Sequence, residues 1–238
     1  MKKISHTLAL LIMLLFTSVS LIGQSKTLDL ERFDGLSVAG NIELILIPDS
    51  KNFAEIEVDD VDMDKLETRM KGSTLKFNLK GNGFFNLFNR TGKGYIRLHY
   101  TEDLIKISSS ASADIRSNSI VQSDDLKVSA SSGSRVELEM ECNSIEATVS
   151  SGANIELDGS FEEQDVRASS GGTYKATTVE SKKAVAKASS GGSVKIWATD
   201  KLKGRASSGG SVDYKGNPGN SDISSSSGGS VRKRESMN

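Results

Sequence analysis

The stretch Ala188–Val212, ASSGGSVKIWATDKLKGRASSGGSV, carries the tetrapeptide SSGG twice, eighteen residues apart. Clustered Ser and Gly ordinarily mark a flexible linker. Here apolar residues flank each SSGG at alternate positions, a pattern that a linker has no use for. The glycine of the SSG element recurs at Gly133, Gly152, Gly171, Gly191, Gly209 and Gly228, at intervals of 19, 19, 20, 18 and 19 residues. A degenerate earlier copy, SASADI, puts Ser112 in the glycine slot and makes seven copies.

Other columns keep the same phase. Three residues after the slot stand Ile115, Val136, Ile155, Tyr174, Val194, Val212 and Val231. Five before it stand Ile107, Val128, Ala147, Val166, Ala186, Gly204 and Ile223. Polar residues fill the position between the apolar columns that follow the slot. Period-2 alternation on both flanks of a turn describes strand, turn, strand. One copy cannot bury its apolar face alone, so the copies must stack. At about 3.3 Å per residue a copy traces roughly 60 Å, the circumference of one coil. The expectation is an all-β, right-handed parallel β-helix with coils of about 19 residues.

Two serine columns, Ser131/Ser150/Ser169 and Ser132/Ser151/Ser170 with their equivalents, are expected to hydrogen-bond along the stack or to the turn backbone. Each glycine is expected to supply a positive φ or a close backbone approach. The outward column Arg116, Glu137, Glu156, Lys175, Lys195, Asp213, Arg232 predicts pairs Arg116–Glu137, Glu156–Lys175 and Lys195–Asp213–Arg232.

The flanking segments fit this frame. Lys2 and Lys3 precede the nine-residue apolar run Leu8–Phe16, followed by small and polar residues, which reads as a signal peptide over residues 1–24 with its cut near 20–24. The run is too short to span a bilayer. Its removal shifts the formal charge from −1 to −3. No cysteine follows the run, so a lipoprotein is not expected; export to periplasm, cell surface or medium is. Cys142 is the only cysteine, so no internal disulfide can form. Residues 25–105 lack SSG but alternate in NIELILI, AEIEV, TLKFNL and YIRLHY, predicting a β-rich section continuous with the repeats at 106–235 that builds the first, wider coils and caps the solenoid; residues 236–238 form a tail. The acidic run Asp59–Asp64 reads as a solvated turn beside a short helical segment. Between two of these strands, Gly81–Gly94 holds Phe84, Phe85 and Phe88, either folded over the core end or exposed as a contact loop.

Chemistry finds little to stand on. After signal removal the single histidine is His99, set on a strand away from the serine columns, so a Ser–His pair is not expected. The acidic run lacks the spacing of a calcium loop, and zinc ligands are too few. No catalytic, cofactor-binding or metal residues are assigned. The nearly balanced charge, 30 basic against 31 acidic residues, argues against nucleic acid as partner. Trp197 should face outward and is the candidate for stacking on a sugar ring.

The order FDGLSVAGNIELIL, LETRMKGSTLKFNLK, IRLHYTEDLIKISSSASADI and serial SSGGSV resembles the "putative auto-transporter adhesin, head GIN domain" family of Gram-negative envelope proteins, over about residues 28–234. The resemblance implies a right-handed β-helix and carries over no catalytic residue. The expectation is a non-enzymatic β-solenoid that serves as an adhesion, interaction or structural surface module. Its partner is unknown, with a surface glycan or envelope protein as candidates. A carbohydrate-binding or carbohydrate-active β-helix and an end-to-end self-assembling module are the alternatives.

Overall fold

The computed structural model describes residues 24–80 and 92–237. The signal segment up to residue 23 and the loop residues Phe84, Phe85 and Phe88 lie outside them. Eighteen strands form one continuous sheet. The N-terminal section holds β1 (Gln24–Asp29), β2 (Gly35–Ala39), β3 (Ile42–Pro48), β4 (Phe53–Asp59), β5 (Leu66–Lys71), β6 (Thr74–Leu79) and β7 (Lys93–Tyr100). The repeats begin with β8 (Lys106–Ser110), β9 (Asp114–Ser117), β10 (Val121–Gln122) and β11 (Asp125–Ala130). They continue through β12 (Arg135–Val149), β13 (Asn154–Ala168), β14 (Thr173–Ala188) and β15 (Ser193–Ala206). The last are β16 (Ser211–Lys215), β17 (Asn220–Ser225) and β18 (Ser230–Lys233). A 3-10 turn at Met63–Lys65 follows the acidic run, as its sequence suggested.

The repeats form a parallel β-solenoid. Register neighbours are the columns read from the sequence: Ile107 faces Val128, Val136 faces Ile155, Tyr174 faces Val194, and Val194 faces Val212. Inward members of the central coils are buried, and Tyr174, Ile155, Val194 and Ile196 expose 1% or less. Copies of 20 and 18 residues keep their corners aligned because the register shifts at the far side of the coil, between Ala176 and Lys183. There the spare residues Thr177 and Val179 turn inward. Tyr174 brings a hydroxyl into this core, and a satisfied chain receives it. Tyr174 donates to Gln164 Oε1 at 3.3 Å, Gln164 Nε2 to Ser181 Oγ at 2.6 Å, and Ser181 to the Trp197 carbonyl at 2.7 Å.

Each SSGG is a two-residue corner with positive φ at both central positions, as at Ser190 (48°) and Gly191 (74°). The amide after the glycine slot closes the turn onto the carbonyl of the first serine, at 2.8 Å for Gly192 to Ser189. The glycine-slot amide instead reaches the next coil, as Gly191 donates to the Ser208 carbonyl at 3.2 Å. The stacking of corners is therefore a backbone ladder. The serine hydroxyls of the two corner columns take no part in it, a correction to the expected side-chain ladder, because the positive φ of the corner directs backbone amides along the stack. The two glycines do different work. A Cβ on Gly191 would meet nothing within 4 Å, so its role is the positive φ. A Cβ on Gly192 would sit 2.5 Å from the Ala168 backbone of the preceding coil. Where this second slot holds Ala113, Ser134 or Ala153, the turn bond lengthens to 3.1–3.2 Å.

The outward charge column is half as drawn from sequence. Arg116–Glu137 (3.5 Å) and Lys175–Glu156 (2.8 Å) form, but Asp213 pairs with Arg234 at 3.0 Å and not with Lys195 or Arg232. The C-terminal strand continues past the repeat column and brings the longer, forked guanidinium of Arg234 to the carboxylate.

The N-terminal section supplies two further levels, laid down out of order. β2 lies between β6 and β8, and β3 between β7 and β9, all parallel. Gly40 makes the β2–β3 corner at φ 94°, where a Cβ would strike the Leu79 carbonyl oxygen at 2.4 Å. On the outer side β4 covers β7, β1 covers β4, and β5 covers β6, all antiparallel. This reversal ends the parallel stack. At the opposite end Ile223 of β17 is 41% exposed.

The corner geometry ranks two neighbouring substitutions. Gly191→Ala should cost about 1 kcal/mol, the left-handed penalty alone. Gly192→Ala should cost about 2–3 kcal/mol because backbone must move. Urea unfolding of both variants checks the order, and an equal or inverted cost contradicts this assignment.

Candidate ligand-binding face

The strand leading into each corner points every second residue outward, and stacking turns these into columns on one face. Four residues before the glycine slot, β13, β14 and β15 place Arg167, Lys187 and Arg205 directly opposite one another. Eight residues before it, Lys183 and Lys201 are likewise opposed, and Lys203 lies between these two columns. Like charges facing each other in register cost about 0.2–1 kcal/mol per pair. This face accumulates that cost over three consecutive coils.

The ends of the cationic block are anchored. Arg167 donates to Glu146 at 3.2 Å and Asp165 at 3.1 Å. Arg205 reaches the Asp222 carboxylate at 2.5 Å and its carbonyl at 2.8 Å. Lys183 pairs with Glu163 at 2.5 Å. The hydrogen bond from Arg205, with the nearby Lys203 charge adding less, holds Asp222 below the usual carboxylate range. Lys127 first and Arg167 second do the same for Glu146. Between these anchors Lys187, Lys201 and Lys203 are exposed and form no ion pair among the described residues.

Two shallow grooves run side by side over this face. One, of about 570 Å³, is walled by Arg167, Lys187 and Arg205 and by the corner serines Ser169, Ser189 and Ser207, with buried alanines at its base. The other, of about 500 Å³, is lined in part by Glu163, Lys183, Lys201 and Lys203. The first extends from Thr148 to Ser224, five strands, or roughly 20 Å along the stack.

Residues singled out in the sequence lie elsewhere. Trp197 is half-buried on the other strand of its coil, with the Lys215 ammonium 3.9 Å from its ring centroid. Stacking on that covered face requires Lys215 to move. His99 binds Asp49 through Nδ1 at 2.8 Å and stacks on Phe53 at 3.9 Å. The His99 bond, first among several, lowers the Asp49 pKa. No hydrogen bond joins His99 to a serine among the described residues. Among the same residues no group of three or more His, Cys, Asp or Glu side chains could hold a metal ion, and no helix is long and apolar enough to cross a membrane. The repeat glycines Gly133, Gly152, Gly171, Gly191, Gly209 and Gly228 all occupy corners. The cationic columns were legible in the sequence, because Arg167, Lys187 and Arg205 share the phase of the apolar columns. They were passed over because charge was followed only on the strand after the corner.

The architecture is thus a parallel β-solenoid with an antiparallel cap and a polar, groove-bearing side. The chain is a member of the family described as "Putative auto-transporter adhesin, head GIN domain", whose model matches residues 32–218. Solved structures share the fold. A "putative adhesin" from Bacteroides fragilis superposes with a TM-score of 0.76 at 17% identity, covering 89% of this chain and 96% of that one. One from Parabacteroides merdae gives 0.67 at 19%, with the same coverage. A "putative lipid binding protein" from Parabacteroides distasonis gives 0.63 at 19%, covering 90% and 97%. No curated protein matches the chain.

Two outcomes test this description. Lys187→Glu removes two like-charge contacts and should raise the unfolding free energy by about 0.5 kcal/mol; a loss of stability contradicts the reading of the column. Burial pushes the Cys142 thiol up to about 12. Iodoacetamide should therefore label it slowly at pH 8 in the native protein and quickly in urea; equal rates contradict the burial.

Proposed function

We propose that the protein is an exported, non-enzymatic adhesion or interaction module that binds through the side of its solenoid. The observation that carries this reading is the face itself: an in-register sheet that places Arg167, Lys187 and Arg205 and the corner serines in fixed rows along two grooves. Membership of an adhesin-head family supports it. The charged start and short apolar run at Lys2–Phe16 support export, with one mature unit over about residues 25–235. Trp197 and the loop phenylalanines Phe84, Phe85 and Phe88 are secondary contact candidates. In this reading the solenoid supplies stiffness and repetition, and affinity comes from many weak contacts made at once.

The test has two parts. Cells producing the full chain are fractionated and the N-terminus of the product is sequenced; the expected product is outside the cytosol and starts between residues 21 and 25. The labelled mature protein is then bound to washed cells of the producing species, with Phe85→Ser/Phe88→Ser and Trp197→Ala alongside. Saturable binding is expected. A cytosolic product beginning at Met1, no binding to cells, or release of reducing ends from a polysaccharide panel contradicts the proposal.

A further inference from the structure

The cationic groove asks for a ligand of a particular kind. Opposed like charges are a stability cost that the fold could have avoided with one acidic residue, as it does where Lys175 meets Glu156. The two arginines are tethered by carboxylates and so keep their guanidinium groups in place. Lys187, held between them by register, has no carboxylate of its own. Alongside runs the row Ser169, Ser189 and Ser207, half-buried at the corner and lining the same groove. The groove therefore offers a repeating unit of one cation and one hydroxyl, spaced by the inter-strand distance of about 4.8 Å.

We infer that this groove binds a linear anionic polysaccharide, bearing carboxylate or sulfate groups, laid along the solenoid axis. This inference rests on the adhesion reading above and names the ligand class of that face. The spacing of the cations is close to the rise of one sugar ring in an extended chain, so successive charged rings meet successive coils. The serine row supplies hydroxyls that can hydrogen-bond the carboxylate, sulfate and hydroxyl groups of a sugar chain. No aromatic side chain lines the groove, so the stacking platform that single-stranded nucleic acid relies on is missing from it. Glu146 and Asp165 pair with Arg167, and Asp222 pairs with Arg205, which leaves Lys187 between them as the cation of this row without a carboxylate among the described residues.

Calorimetry of the mature protein at low salt tests this with heparin as the sulfated probe, polygalacturonate as the carboxylated probe and dextran as the neutral one. Oligo-dT and vesicles of phosphatidylglycerol and phosphatidylcholine serve as the competing polyanions. Binding of at least one acidic polysaccharide, none of dextran, and weakening as salt rises is the expected result. Lys187→Gln should weaken that binding about tenfold while the melting temperature holds or rises. Lys26→Gln/Lys71→Gln, on the far cap, should change nothing. Acidification should release polygalacturonate and leave heparin bound, which separates the two anionic groups. Absence of binding to both acidic polysaccharides, equal or tighter binding of oligo-dT or vesicles, or indifference to Lys187→Gln overturns the inference. If cell binding persists while both polysaccharides fail, the ligand class is wrong and the adhesion reading survives; if cell binding also fails, both fall.

Discussion

The whole structure depends on a corner in which two consecutive residues take positive φ while the next amide lies against the coil below. That geometry reverses the chain within two residues. It also leaves one amide free to donate along the stack, from Gly191 to Ser208 and from Gly209 to Ser227. Glycine meets the first demand at Gly191 and the second at Gly192, where a Cβ would force the backbone to shift. Serine precedes them as a short polar residue that tolerates the left-handed region and takes up little space at the outer edge. Once the corners align, the apolar columns align with them, and burial of valine, isoleucine and alanine follows.

Alignment carries a consequence for the surface. A solenoid in strict register converts any residue repeated at one phase into a straight row. Inside, the row must be apolar, and the one tyrosine that enters brings its own hydrogen-bonding chain through Gln164 and Ser181. Outside, the fold is indifferent to which polar residue stands in a row, so charge there reports something other than packing. On the strand after the corner, opposite charges meet at Arg116–Glu137 and Glu156–Lys175. On the strand before it, cations meet cations for three coils. Like charges also meet after the corner, at Glu137–Glu156 and Lys175–Lys195, so what sets the other side apart is a run of one sign, Arg167, Lys187 and Arg205, over three coils.

The repeat was readable because it obeys two simple periods at once: two along each strand and nineteen between coils. Ile107, Val128 and Ala147 could be placed as neighbours without coordinates, and they are neighbours. Three things were not readable. The corner of β2 and β3 reads AGN in place of SSG, so although coils were expected in this section, Leu36 and Val38 were not matched with Leu44 and Leu46 across a corner. The order of levels, with β2–β3 lodged between β6–β7 and β8–β9, is a matter of long-range pairing that no local pattern encodes. That the corner ladder is built from backbone amides and not from serine hydroxyls depends on the positive φ at Ser132, Gly133 and their equivalents. The cationic face was in view but spread over residues 167–205, with neighbours twenty and eighteen positions apart.

Amide hydrogen exchange at the corner glycines is the most direct test of the central claim. A Ser/Gly linker exchanges at the rate of an unfolded peptide throughout. The stacked corner instead predicts strong protection at Gly133, Gly152, Gly171, Gly191 and Gly209, whose amides each donate to the next coil. It predicts fast exchange at Gly228, the last corner, whose amide has no acceptor among the described residues. Uniform fast exchange at all six glycines would contradict the stacked-corner account.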